Sequence, residues 1–300
     1  MNQKQNKYTF SVVIPVYNEE GSVKKLIEEI NSVFENWGED CEIIVVDDGS
    51  TDSTAREVKK TNAKLIIFDK NYGQSSALNE GINEAQGDFI VTMDGDGQND
   101  PDDIPAMFHK MMEEKIDLIC GERRDRKSKK SIKIGAQIAA KIRRIALDDR
   151  ITDSGCTLKI FKKDAAKSLN LFRGMHRFIP ALLKLDGYNV GEIKVNHRPR
   201  TSGQTKYNWL KYFPGALGLL TVLQIRIDKK INFISLPYLF FLVLIIISII
   251  FNLTGEVNKG LNIILSLSIL FLFWLGKVID EETAKHYSYN PKYKIKEVIN

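Results

Sequence analysis

Residues 91–103 read VTMDGDGQNDPDD, so that an apolar run gives way to five aspartates, two glycines and a glutamine on one short loop. Like charges this close repel, and burying any of them without compensation costs several kcal/mol. A solvated turn after a strand accounts for the composition, because Asp, Gly and Asn are turn formers. A divalent cation accounts for it too, since hard ions take oxygen ligands and cancel the repulsion. Asp94, Asp96 and Gln98 stand at i, i+2 and i+4, and in an extended segment those three side chains point the same way. Gly95 and Gly97 between them let the backbone approach a ligand closely. Three oxygen-bearing side chains on one face make half a shell for Mg2+ or Mn2+, leaving phosphates and water to complete it. Such an ion bridges a diphosphate and stabilises charge on a departing phosphate oxygen.

A second acidic pair, Asp47 and Asp48, closes the apolar run EIIVV. A carboxylate at a strand end accepts from a nucleobase N–H or a ribose hydroxyl. The bland alternative is capping of the following helix, which Ser50 or Asp52 would also do. There is no Gly-x-Gly-x-x-Gly and no Gly-Lys-Ser/Thr loop, which disfavours NAD and Walker-type ATP chemistry.

The elements that position these loops follow from periodicity. FSVVIPV (10–16), EIIVV (42–46), 64–68, 88–93 and 116–120 are short β-branched apolar runs that read as strands. Residues 23–34, a segment from about Ser53, and 75–84 read as the intervening helices. Continuous apolar strands alternating with helices predict an α/β fold with a mostly parallel sheet. Ligands in such sheets bind beyond the carboxyl ends of the strands, so PVYNE, VVDDGS and MDGDGQ should converge on one crevice. Residues 132–147 read as an amphipathic helix, and DSGCTLKIF (153–161) as a loop leading into a strand.

Charge is segregated. The net charge is +5, from 43 Lys and Arg against 38 Asp and Glu, yet 122–144 alone holds ten basic and two acidic residues. A solvated face or attraction to anionic lipid explains that stretch; Arg143 or Arg144 gripping a lipid phosphate is the sharper reading. Aromatic stacking residues are missing between 122 and 147, so nucleic acid is not expected as a partner. Cys41, Cys120 and Cys156 fit no metal spacing and read as buried thiols in a reducing compartment. The N-terminal residues lack an apolar signal core.

Residues 208–227 mix aromatic and apolar side chains and suit a membrane interface. Two long apolar stretches follow, and the lysine-rich flanks predict that both ends face the cytoplasm. The expected organisation is a cytosolic catalytic domain over 1–207, an amphipathic interfacial region over 208–230, two transmembrane helices at about 231–253 and 261–278, and a cytosolic tail over 279–300.

The set VVIPVYNEE, EIIVVDDGSTDST, NYGQSSALNEGI, GDFIVTMDGDGQNDP, DSGCTLKIF and HRPRTSGQTKY resembles family 2 glycosyltransferases of the GT-A fold. Within them it is similar to polyprenyl-phosphate sugar synthases of the dolichol-phosphate mannose synthase type, over about residues 10–210; the apolar helix pair with NPKYKIKEVI resembles the bacterial undecaprenyl-phosphate members. The resemblance implies a Rossmann-like GT-A sheet flanked by helices, with interfacial helices and a C-terminal transmembrane hairpin in the bacterial inner membrane. It implies that Pro15, Tyr17, Glu19, Val46 and Asp48, with Asp94, Gly95 and Asp96, bind the nucleotide sugar, and that Asp94, Asp96 and Gln98 hold Mg2+ or Mn2+. Arg123, Arg200 and Lys206 stand where the family contacts substrate phosphates. Thr205 and Thr157 depart from the common pattern, the latter at a position where many relatives have Gly or Ser.

The implied reaction moves a sugar from an NDP-sugar, UDP favoured over GDP, to polyprenyl phosphate with inversion. Asp96 and Asp153 are the candidate catalytic carboxylates, Asp153 as a base, as an organiser of the sugar, or only as a turn cap before Gly155. GMHRFIPALLKLDGY resembles bacterial enzymes serving lipid A or envelope modification, and a homo-oligomer, a tetramer, is implied by resemblance alone. Rival readings are a family 2 transferase extending a lipid-diphosphate glycan, a nucleotidyltransferase, and a non-catalytic membrane scaffold.

Overall fold

The run FSVVIPV forms a strand, Phe10–Val16 (β1), buried along its whole length. It lies inside an eight-stranded sheet in the computed structural model, which describes residues 9–123, 143–144, 147, 151–172, 174–199, 212–231, 245–246, 259–287 and 293–300. The other strands are Cys41–Asp47 (β2), Lys64–Phe68 (β3), Phe89–Thr92 (β4), Leu118–Arg123 (β5), Lys159–Lys162 (β6), Val190–Val195 (β7) and Ile295–Ile299 (β8). Their order is β7-β5-β6-β4-β1-β2-β3-β8. The β1–β2, β1–β4, β2–β3 and β5–β7 pairs are parallel; β6 runs antiparallel to β4 and β5, and β8 antiparallel to β3. The expected mostly parallel α/β sheet is therefore present, with two reversed strands.

The parallel strands deliver their carboxyl ends to one edge of the sheet. A reversed strand brings its beginning to that same edge, so the segments leading into β6 and β8 join the loops leaving β1, β2, β4, β5 and β7.

The helices Val23–Trp37 (α1), Thr54–Val58 (α2), Gln74–Glu84 (α3) and Asp103–Glu113 (α4) follow the first four strands. Helix α1 buries Val23, Leu26, Ile27, Ile30 and Phe34, a stripe of helical period, and ends at Gly38, whose φ of 78° only glycine adopts freely. Beneath it Phe10 is fully buried and lies 5.0–5.5 Å, centroid to centroid, from the rings of Phe34, Trp37, Phe89 and Phe108. Helix α3 packs across β1 and β2 at Gly81, where a Cβ would stand 2.3 Å from Val13 Cγ1 and 3.2 Å from Val46 Cγ2. The helix thus approaches the sheet closely enough for its first turn to reach the crevice. Shorter helices Lys163–Lys167 (α5) and Ile179–Leu185 (α6), with a 3-10 turn at Met175–Arg177, complete this unit.

The described residues divide into two compact units, Met1–Pro214 with Pro291–Asn300, and Gly215–Asn290. Residues after 291, expected as part of a cytosolic tail, instead supply β8: Tyr293 stacks on Phe68 at 4.7 Å and its hydroxyl donates to Glu80, while Asp69 N–H donates to the Lys294 carbonyl. A short alternating run far from its partner in sequence gives no local sign of that pairing. In the other unit, Tyr212–Ile231 (α7, from Gly215 onward) and Lys259–Tyr287 (α8) are helices. Among the described residues no helix is long and apolar enough to cross a membrane. The expected first span, 231–253, lies outside the described residues except for 231 and 245–246, and the second, 261–278, falls within α8.

Gly81→Ala should destabilise the protein by about 1–3 kcal/mol in urea unfolding despite the better helix propensity of alanine, because the new methyl has no room against Val13.

Candidate active site

At the carboxyl edge, Pro15 pairs with Val46 and Val16 with Asp47, so the first two acidic and polar loops emerge side by side. Strand β4 matches β1 only as far as Val13–Thr92. The Val13 carbonyl points towards β4, where it accepts from Met93 N–H, and the Val16 carbonyl points towards β2, where it accepts from Asp48 N–H. By alternation Pro15 faces the β4 side, where the ladder has already ended. Its missing N–H leaves no partner unmatched, and the vacated space is taken by the Asp94 loop: Gly95 sits there, with no room for a Cβ, which would lie 2.5 Å from Val16 Cγ1.

The loops are laced to one another. Asn18, in the left-handed region at φ 57°, accepts from Thr51 N–H through its side chain, and its own N–H donates to Ser50 Oγ. Glu19 is buried; its N–H donates to Thr54 Oγ1 at 2.8 Å. Ser22 Oγ donates to the Gly95 carbonyl at 2.8 Å and lies 3.2 Å from Glu19 Oε2. Tyr17 is partly exposed, whereas Pro15 and Val46 are buried.

Asp48 is 3 % exposed and accepts from two backbone amides, Tyr72 N–H at 2.6 Å and Gly73 N–H at 2.8 Å. It fixes the segment that leads into α3. Burial raises its pKa to about 6; the two amides pull it down and the charge of Asp47 pushes it up. Asp47, whose Oδ1 accepts from Ser50 N–H at 2.9 Å, is also shifted up, chiefly by burial. The pair is not seen to cap α2: Asp47 accepts from Ser50 N–H and Asp48 from Tyr72 and Gly73 N–H, while it is Asp52 that accepts from Thr54 N–H at the start of that helix.

Asp94 and Asp96 stand over this floor. Gln74, the first residue of α3, donates Nε2–H to Asp94 Oδ1 at 2.7 Å, and Asp94 N–H donates to Asn99 Oδ1. Asp94 keeps some surface towards the crevice, yet its pKa rises to about 6, first through burial and then through the charge of Asp96; Thr157, Lys159 and Arg123 oppose the rise. Asp96 Oδ1 accepts from Gln98 N–H at 3.1 Å across Gly97, which has a φ of 72°. Among the described residues no group of three or more His, Cys, Asp or Glu side chains forms a metal cage. Two mutually repelling carboxylates do fit an ion that keeps most of its shell for phosphate and water, as Mg2+ and Mn2+ do.

The reversed strand β6 brings Asp153 to the same edge, where it meets Arg123 at the end of β5. Arg123 Nε lies 2.6 Å from Asp153 Oδ2 and Nη2 lies 2.9 Å from Oδ1, a bidentate pair in which both side chains are less than one-fifth exposed. Burial works against the Arg123 charge, but the hydrogen bonds and charge of Asp153 more than offset it and raise the arginine pKa. The two residues read separately from the sequence are thus partners. Thr157 Oγ1 lies 3.0 Å from Asn99 Oδ1, and Thr92 Oγ1 donates to the Thr157 carbonyl, so Thr157 supplies a hydroxyl to the Asn99–Asp94 network that Gly would lack and Ser would keep.

Arg143 is 6 % exposed and donates Nη2–H to the Ile151 carbonyl, whereas Arg144 is exposed. The pair therefore splits, and an inward-facing Arg143 does not present its charge at a lipid surface. Arg200 and Lys206 lie outside the described residues. The chain just before them is fastened to the acidic loop: Arg198 N–H donates to the Gln98 carbonyl, and Arg198 Nη2 donates to Asp100 Oδ1 at 2.6 Å while Nη1 donates to Glu29 Oε2 at 2.6 Å.

Residues 11–169 match the model of glycosyl transferase family 2. The chain belongs to that family, and it is a glycosyltransferase. It is 35 % identical over 231 residues to a dodecaprenyl-phosphate galacturonate synthase of Rhizobium johnstonii, covering 74 % of this chain and 68 % of that protein. It is 27 % identical to an undecaprenyl-phosphate 4-deoxy-4-formamido-L-arabinose transferase of Shewanella sediminis, covering 100 % of this chain and 95 % of the relative. Among solved structures it is similar to glucosyl-3-phosphoglycerate synthase of Mycobacterium tuberculosis in complex with Mn2+, UDP and glucosyl-3-phosphoglycerate, with TM-score 0.56, 18 % identity and coverage of 73 % of this chain and 80 % of that one. That likeness is one of fold, a GT-A-like mixed sheet flanked by helices.

Sequence reasoning missed Gln74, Asn99 and Lys159, although each lies in a quoted motif. Their parts are contacts between distant segments: Lys159, 2 % exposed on β6, donates to the Ser154 and Cys156 carbonyls and thereby holds the loop that carries Asp153.

The folded Asp48 carboxyl takes up its proton below about pH 6, whereas an unfolded one does so only near 3.8. Between those values the folded state binds more protons, so this group reduces stability as pH rises. Asp48→Asn should remove that contribution, making the slope of unfolding free energy between pH 4 and 6 more positive by up to about 1.4 kcal/mol per pH unit, as read by urea unfolding at a series of pH values. A double-mutant cycle of Arg123→Met and Asp153→Asn should give a coupling of about 1–3 kcal/mol in thermal unfolding.

Proposed function

We propose that this glycosyltransferase moves a sugar from a nucleoside-diphosphate donor, a uridine nucleotide in preference to a guanosine one, to polyprenyl phosphate, with inversion at the anomeric carbon. The observation that carries the reading is the Asp94–Asp96 pair: two carboxylates at the end of a buried strand, with the proton affinity of Asp94 raised first by burial and then by the charge of Asp96, and opposed by Arg123. The named activities of the relatives, which attach sugars to dodecaprenyl or undecaprenyl phosphate, support the acceptor class.

In this reading Pro15, Tyr17, Glu19, Val46 and Asp48 shape the nucleotide end of the crevice, directly or through the 70–73 segment that Asp48 fixes. Asp94, Asp96 and Gln98 would hold Mg2+ or Mn2+, which when bound neutralises charge on the diphosphate as it leaves. Arg123, oriented by Asp153, turns its remaining N–H donors to substrate phosphate. Arg200 and Lys206, following the segment tied to Gln98, serve the acceptor phosphate, with Arg144 at the lipid surface. A phosphomonoester has a second pKa near ~6 and is already anionic at neutral pH, so no general base is required. Asp153, engaged by both arms of Arg123, is an organiser in this scheme. The protein's work is to hold two anions against their repulsion until the sugar has passed between them.

The unit Gly215–Asn290 is the membrane-facing part of this proposal. On α8, Leu267, Leu270, Phe271, Phe273 and Trp274 are each at least 50 % exposed, and large side chains of this kind bury readily in lipid. In this proposal the enzyme works at the bacterial inner membrane with its catalytic unit in the cytoplasm, a reading that these exposed side chains support.

Purified enzyme with undecaprenyl phosphate, Mn2+ and a panel of UDP- and GDP-sugars should give a polyprenyl-phosphate sugar by mass spectrometry, β-linked by NMR from an α-linked donor. Asp96→Ala should lower kcat about 100-fold or more at saturating metal. Asp153→Asn should lose clearly less, and equal losses would contradict the base-free scheme.

A further inference from the structure

Helix α3 carries an unusual number of buried polar residues: Ser75, Ser76, Asn79 and Glu80 are all at most 9 % exposed. Two of them have a common use. Asn79 Oδ1 accepts from Leu171 N–H at 2.9 Å, and Ser75 Oγ accepts from Gly174 N–H at 3.0 Å. The first turns of α3 therefore serve as a mount for the 171–177 loop, which bends at Gly174, with a φ of 81°, into the 3-10 turn Met175–Arg177. Within that turn Met175 is buried and His176 is only partly so.

The mount also fixes the chemistry of the imidazole. Ser75 Oγ lies 2.8 Å from His176 Nδ1. Its two acceptor lone pairs already receive Gly174 N–H and, at 3.4 Å, His176 N–H, so the hydroxyl proton is the one available for Nδ1. This network assigns the ring proton to Nε2 and makes that nitrogen a donor. Ser75 follows Gln74, the residue that binds Asp94, so His176 stands one residue along the helix from the acidic pair. Burial, with the charges of Arg177 and Lys159, drives the His176 pKa down to about 3, so the ring is neutral at physiological pH. Lys159 also acts on Asp94 from β6, the strand beyond β4 as seen from β1. The same lysine charge thus reaches both Asp94 and His176, while His176 itself is mounted on the first turn of α3 beside Gln74.

We propose that His176 contacts the donor sugar, giving an Nε2–H hydrogen bond to an oxygen of the sugar ring substituents, a hydroxyl, carboxylate or amide carbonyl, and so helps to set which sugar is transferred. This rests on the reading of the crevice as a nucleotide-sugar site. A neutral donor on a rigid mount discriminates between sugars because a partner lacking the oxygen leaves the N–H unpaired.

The test separates the nucleotide from its sugar. Calorimetric titration of the full-length enzyme in detergent with Mn2+ would compare UDP, GDP, UDP-glucose, UDP-N-acetylglucosamine and UDP-galacturonate, for the wild type, His176→Phe and His176→Gln. His176→Phe should bind UDP within about threefold of wild type and lose about tenfold or more in affinity for the sugar nucleotide that wild type binds best, while His176→Gln, which keeps an N–H donor, should recover part of that loss. Equal loss for UDP and the sugar nucleotide would make His176 a structural residue of the loop and overturn the assignment, as would unchanged affinity for both. If the Phe variant fails to unfold cooperatively, the Gln variant carries the comparison: an unchanged order of preference among the three UDP-sugars, with unchanged affinities, overturns it. Wild-type protein that binds neither UDP nor GDP would remove the nucleotide-sugar reading itself, a result distinct from any difference between variants.

Discussion

Two carboxylates at the tip of a strand that ends in the protein interior repel each other, and the arrangement of the crevice is organised around that repulsion. Asp94 cannot relax away from Asp96, because Gln74 holds its side chain and Asn99 its backbone. Burial raises the pKa of Asp94 most and the charge of Asp96 adds to it; Thr157, Lys159 and Arg123 oppose the rise, and the carboxyl is left at about 6. A site left in that state has free energy to gain from a cation, and a diphosphate gains from the same cation. In the proposed function the two are therefore bound together.

Everything that restrains the pair comes to it from the direction in which the strands run. The loops after β1 and β2 arrive by parallel pairing, and Pro15 vacates the space that Gly95 occupies. The segment before β6 arrives because that strand is reversed, which sets Asp153 against Arg123. The segment after β7 arrives in parallel and ties Arg198 to Gln98. One edge thus gathers residues separated by more than a hundred positions, without any single segment having to be long.

The first four strands and the helices between them were legible in the sequence because each is a local apolar pattern of the right period. Lys64–Phe68 is the same in both readings, and α1 is longer by a few residues only because Trp37 continues the helix to its glycine stop. The acidic loop was recognisable as a loop at a strand end for the same reason, but 95–97 turn at Gly97 and Asp96 accepts from Gln98 N–H, so the segment is not the extended one from which a shared face for Asp94, Asp96 and Gln98 was expected. What was not legible depends on long-range pairing. Asp153 reads in isolation as a base or a turn cap, and only the reversal of β6 turns it onto Arg123. Arg143 reads as a surface cation, and only the fold spends its side chain on Ile151. Strand β8 gives no sign because the strand it pairs with, β3, lies more than two hundred residues earlier.

That last strand has a bearing on how the molecule is made. The helical unit is an excursion from within the catalytic unit, since the chain leaves near Pro214 and returns at Pro291. On the ribosome, β3 is complete long before β8 exists, so its outer backbone donors and acceptors wait unpaired while the intervening helices emerge. The catalytic sheet closes only after those helices have been given somewhere to go. Assembly of the loop around Asp69 and Tyr72, which rest against Tyr293 and Lys294, is then a late event that reports the successful placement of everything translated before it.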